Sequence, residues 1–110
     1  MTWQQLIPFG DTAPAHWCLQ ARLNRLSTSS LALDYVLAAP AAEVIWPDTS
    51  TSPQRRDELW HSTCLELFIA NPGSAPYWEI NLSPNGDWNV YQLSGYRQGL
   101  QPEPCIECMN

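Results

Sequence analysis

A chain of 110 residues can bury one hydrophobic core but not a core plus an independent second unit. The formal net charge is -6, there is no lysine, and the five arginines, Arg22, Arg25, Arg55, Arg56 and Arg97, form no long basic run. This excludes a nucleic-acid partner, which requires clustered positive charge, and no stretch is apolar for long enough to span a membrane.

The N-terminus, Met1-Thr2-Trp3-Gln4-Gln5-Leu6, lacks the basic start and continuous apolar stretch of a secretory signal. The expected compartment is therefore the cytoplasm, where Cys18, Cys64, Cys105 and Cys108 stay reduced. Residues 17–25 alternate, with Trp17, Leu19, Ala21 and Leu23 on one face, and residues 31–38 alternate with Leu31, Leu33, Tyr35 and Leu37 together. Period-two alternation of this kind predicts two strands, and Ser27-Thr28-Ser29-Ser30 between them predicts their turn. A short apolar piece, Val44-Ile45-Trp46, precedes a polar stretch over residues 47–58 with two prolines, expected to be a long surface loop. Within it, Arg55-Arg56-Asp57-Glu58 reads as a solvated, self-compensating charge cluster rather than a phosphate site.

Three further strands are predicted over residues 62–70, 77–82 and 88–93. Between the last two, Ser83-Pro84-Asn85-Gly86-Asp87 places a proline at the first central position of a type I turn and a glycine at the left-handed position after it, as in a three-residue hairpin loop. If Ser83 opposes Asp87, Ile80 meets Val90 and Leu82 meets Trp88 on one side, while Asn81 meets Asn89 and Glu79 meets Tyr91 on the other. The strand over 62–70 divides likewise, with Leu65, Leu67 and Ile69 opposite Cys64, Glu66 and Phe68. If these strands are neighbours, one face is apolar and the other gathers Glu66, Glu79, Asn81, Asn89 and Tyr91, with Phe68 and Tyr77 beside them. No helical periodicity competes, so the predicted fold class is all-β, an antiparallel β-sandwich.

A face of carboxylates, amides and aromatic rings suits saccharides, whose hydroxyls need donors and acceptors while their C–H faces pack on π-systems. The same composition also describes an ordinary solvated sheet face. Trp60, at the edge of the long loop, is not required by the core alternation.

Leu59-Trp60-His61-Ser62-Thr63-Cys64-Leu65-Glu66-Leu67-Phe68, then residues 77–91, then Gly95-Tyr96-Arg97, together resemble the bacterial DOMON-like proteins related to family 9 carbohydrate-binding modules. The resemblance is close over residues 55–100 and loose before them. It implies a jelly-roll sandwich that binds the end of a glycan or another small ligand; the chain is read as one domain over residues 1–110, with no catalytic residues, metal or cofactor expected. By that similarity Trp60 falls at a stacking aromatic and Glu66 at a carboxylate that accepts from sugar hydroxyls. Glu79, Asn81, Tyr91 and Arg97 share family positions, and the face argument makes them further ligand contacts. The related domain continues past the Tyr96-Arg97 motif, so either residues 101–110, expected to be an irregular tail, replace the later strands, or the domain is shortened at its C-terminal end. A shortened sandwich would expose edges through which the chain could form a homo-oligomer.

Four other readings compete. An accessory domain could use the exposed sheet edges to contact a protein partner. Glu66 and Glu79 could form a glycosidase pair, although nothing in the sequence places them across a scissile bond. Pro104-Cys105-Ile106-Glu107-Cys108 matches half of a zinc deaminase signature, but neither His16 nor His61 supplies the His-x-Glu half. Haem binding, known in the wider superfamily, needs axial ligands, and His61, Met1 and Met109 are poorly placed candidates.

Overall fold

The computed structural model of the chain describes residues 2–10, 16–49, 52–104 and 106. Among the described residues it contains seven strands, two short 3-10 turns and no α-helix. No helix is thus long and apolar enough to cross a membrane. The strands form two antiparallel sheets, one of three strands and one of four, and the chain divides into two compact units, Met1–Val44 and Ile45–Asn110. The predicted all-β, antiparallel class is the one observed.

In the first unit, β1 (Gln4–Gln5), β2 (Cys18–Arg25) and β3 (Leu31–Ala38) pair in that order. Leu19 opposes Leu37, Ala21 opposes Tyr35 and Leu23 opposes Leu33, so the alternating apolar residues of the two long strands do share a face. On the other face Arg22 opposes Asp34 and donates to its Oδ2 from Nε at 3.2 Å and from Nη2 at 2.9 Å. The Arg22 guanidinium also lies 4.5 Å from the Trp3 ring centroid, a cation–π contact. The two-residue β1 carries no alternation of its own, and it forms through its ladder to β2.

The second unit orders β4 (Leu65–Ala70), β5 (Tyr77–Leu82), β6 (Trp88–Leu93) and β7 (Gln101–Pro102) side by side. The β5–β6 hairpin has the predicted register: Ile80 faces Val90, Leu82 faces Trp88, Asn81 faces Asn89 and Glu79 faces Tyr91. Its turn closes with Ser83 N donating to Asp87 O and Gly86 N donating to Ser83 O, both at 2.9 Å. Gly86 has φ +97, and a Cβ there would lie 2.9 Å from Pro53 Cγ, so glycine is required both by conformation and by space. β4 begins at Leu65, three residues later than expected, and is preceded by a 3-10 turn at Leu59–His61 entered through Glu58 at φ 60.

Two expectations are corrected here. Residues 101–102 are not irregular, since β7 extends the sheet by pairing Tyr91 with Pro102 and Gln92 with Gln101. The stretch over residues 47–58 is not loop throughout, since Gln54 O accepts from Trp88 N at 3.0 Å, Arg56 N donates to Trp88 O at 2.9 Å, and Arg55 forms a parallel bridge with Trp88. The Cys105 and Cys108 motif, Met1 and Met109 lie outside the described residues.

Candidate functional site

The ladder from β4 to β6 stacks the predicted residues in rows on one face. Glu66, Asn81 and Asn89 form one row, and Phe68, Glu79 and Tyr91 the next. The strands are therefore neighbours, as the proposed face requires. Glu66 and Glu79 are diagonal across β4 and β5, a separation of about 7–8 Å between backbones. Partial burial and the Glu79 charge both hold the Glu66 carboxyl above its ordinary pKa. The same environment pushes the neighbouring Cys64 thiol up to about 11, chiefly through burial and then through Glu66.

The face is not uniformly accessible. Glu66 and Phe68 are exposed and Glu79 is half-buried, whereas Tyr91 is 3% exposed and Asn81 is 0% exposed. Neither amide atom of Asn81 has a hydrogen-bond partner within the protein. The Tyr91 hydroxyl donates to Asp57 Oδ1 at 2.9 Å and accepts from Asn89 Nδ2 at 3.0 Å. Its pKa is pushed up to about 12 by burial and by the hydrogen bond to Asp57. Asn81 and Tyr91 thus form the floor of the face, and their burial keeps their polar atoms from a ligand in this conformation.

Trp60 leans on that floor. Its ring lies 6.1 Å from the Tyr91 ring at 52°, and the residue remains 45% exposed. Its seat is the 3-10 turn at Leu59–His61, tied to the sheet through Asp57, which accepts from both Asn89 and Tyr91. Trp60, Glu66 and Glu79 are therefore assembled around one surface. Arg97 is not: its backbone N–H donates to the Tyr77 hydroxyl at 3.2 Å and its guanidinium lies over Tyr96. Tyr77 is four residues from Asn81 along β5, about 13 Å at the usual strand rise.

The charge cluster at 55–58 is solvated only in part: Arg56, Asp57 and Glu58 are exposed, whereas Arg55 is half-buried and holds the strand ends together. The Arg55 guanidinium donates to Asn89 Oδ1 at 2.8 Å and to three backbone carbonyls, Val90 at 2.8 Å, Glu103 at 2.9 Å and Ile106 at 2.9 Å. It also lies 5.4 Å from the Trp88 ring centroid. A planar fork with five donors suits this cluster of acceptors in a way that lysine cannot. Arg56 pairs with the buried Asp87 at 3.1 Å, and Asp87 Oδ1 also accepts from Gln54 N at 2.9 Å. Arg55, Asp57 and Asn89 are thus supporting residues of the site, and only Asn89 had a signal in the sequence, its place in the hairpin register.

A cavity of about 530 Å³ opens at the hairpin-turn end of the same unit, bounded by residues of 46–49 and 52–62 and by Asn85 and Asp87. Its size is within the range of small-ligand sites. Among the described residues no group of three or more His, Cys, Asp or Glu is placed to hold a metal ion. No family model, curated protein or solved structure matches the chain.

Proposed function

We propose that the chain is a non-catalytic binding module for a saccharide or a similar small polar ligand, held on the β4–β6 face beside Trp60. The observation that carries this reading is the half-exposed Trp60 ring braced on Tyr91, on the face that bears the Glu66 and Glu79 carboxyls. A braced indole offers a stacking surface at little further cost in side-chain entropy, and two carboxyls at diagonal positions can accept from neighbouring hydroxyls. The resemblance to DOMON-like and family 9 carbohydrate-binding proteins supports the same assignment for Trp60 and Glu66. Asn81 and Tyr91 act from beneath as floor and brace, and Arg97 belongs to the far end of the sheet.

Trp60 is the one ring assigned to stacking, so the affinity is expected to be weak, on the order of 1 mM. A glycan-array screen of the purified chain, followed by calorimetric titration of any hit against wild type and Glu66→Gln, tests the reading. Glu66→Gln is expected to lose about 1.5–3 kcal/mol at most, the range of a charge-assisted hydrogen bond. Absence of any glycan hit would favour an accessory domain that contacts a protein through its sheet edges.

A further inference from the structure

The cavity at the hairpin-turn end differs in chemistry from the Trp60 face. Four charged side chains other than histidine line it: Asp48, Glu58, Asp87 and Arg56. Arg56 and Asp87 neutralise one another through their ion pair at 3.1 Å, and Arg56 also donates to Gln54 Oε1 at 3.3 Å. Asp87 is 5% exposed, so this pair forms part of the wall. The Asp48 and Glu58 carboxylates, both on exposed residues, take part in no hydrogen bond or ion pair among the described residues. Two negative charges therefore remain uncompensated around a space of about 530 Å³, in a chain whose net charge is -6. The same space is walled by Trp46, which is 54% exposed.

These features select among ligands. An anion meets two carboxylates and finds the one cation already engaged. A small divalent ion needs several oxygen ligands converging within about 2.6 Å, and the described acidic and histidine side chains form no such group. A larger cation with spread-out charge needs no such convergence: it gains from carboxylates several ångströms away and from the face of an indole. We infer that this cavity binds an organic ammonium group, stacked against Trp46 and balanced by Asp48 and Glu58. The inference does not depend on saccharide binding at Trp60, whose ring does not line the cavity.

Choline and its uncharged isostere 3,3-dimethylbutan-1-ol separate charge from shape. The full chain, labelled with nitrogen-15, is titrated with each while the Trp46 indole N–H signal, assigned by Trp46→Phe, is followed by NMR. Choline is expected to shift that signal saturably and the alcohol to leave it in place. Asp48→Asn with Glu58→Gln should weaken choline binding about tenfold or more, and Asp48→Asn alone should weaken it measurably with an unchanged circular dichroism spectrum. Asp48 provides the safeguard if the double variant folds poorly, because it is exposed and its side chain makes no hydrogen bond or ion pair among the described residues. An equal response to the alcohol, no saturable response to choline, unchanged affinity in Asp48→Asn, or displacement of choline by stoichiometric calcium would each overturn the inference. The Trp60 response to saccharide should be the same in these variants as in wild type, so failure at one site is distinguishable from failure at the other.

Discussion

Replacing Asn81 by valine removes a buried amide whose nitrogen and oxygen both lack a partner within the protein. Asn81 is 0% exposed, in the middle of β5 between Glu66 and Asn89. Leaving a buried polar group unsatisfied costs about 1–3 kcal/mol, and an apolar replacement of similar shape removes that cost. Valine is β-branched, favours strands and carries no polar atom on its side chain, so Asn81→Val is expected to stabilise the chain by about 1–3 kcal/mol. For a domain of this size each kcal/mol raises Tm by about 4–8 °C. Urea unfolding followed by tryptophan fluorescence should show a higher midpoint with an unchanged slope. Because Asn81 presents no atom to a ligand, saccharide affinity should stay within about twofold of wild type. A loss of stability greater than about 1 kcal/mol would refute the reasoning, since it would mean that ordered water satisfies the amide.

Arg55→Ala should destabilise the chain by about 2–4 kcal/mol, since it removes four hydrogen bonds, two of them to the Glu103 and Ile106 carbonyls, while Asn89 Oδ1 and Val90 O keep the Val90 and Glu103 N–H groups, and Arg55→Lys should recover only part of the loss in urea unfolding. Gly86→Ala should cost about 1–3 kcal/mol in the same assay, because φ +97 and the approach of Pro53 both oppose a Cβ. The raised Glu66 pKa means that its charged form is disfavoured by folding, so its stabilising contribution is complete below the unfolded carboxyl value and is lost as pH rises through the folded one. Glu66→Gln should therefore flatten the stability profile across weakly acidic pH and leave the chain more stable than wild type near neutrality. Cys64, with its thiol held up to about 11, should react with iodoacetamide at pH 8 far more slowly than a free cysteine, and mass spectrometry after limited alkylation reads this directly.

The hairpin was legible because two independent signals agree in it. Alternation in β5 and β6 assigns each side chain to a face, and Pro84-Asn85-Gly86 fixes the turn length, which together leave one register. Alternation reports a face but not what covers it, so Asn81 and Tyr91 resembled accessible ligand contacts until their burial was seen. The role of Arg55 had no local signature at all. Its acceptors lie 34 to 51 residues away and three of them are backbone carbonyls, whose positions depend on tertiary docking rather than on side-chain identity. The same holds for β7 and for the bridge at Arg55, which are too short to show a period and exist only as additions to β6. Arg97 shared the family motif, yet four residues of strand separate its contact at Tyr77 from Asn81, and position in a motif does not measure that distance.

The claim that Trp60 provides the stacking surface for a saccharide is tested most directly by titrating mono- and disaccharides into wild type and Trp60→Ala while following tryptophan fluorescence. Trp60 is 45% exposed and rests on Tyr91, and its removal leaves the carboxyls of Glu66 and Glu79 in place. The account predicts a saturable change for wild type with a midpoint on the order of 1 mM and loss of most of that affinity in Trp60→Ala. No saturable change in wild type, or equal affinity in Trp60→Ala, would contradict it.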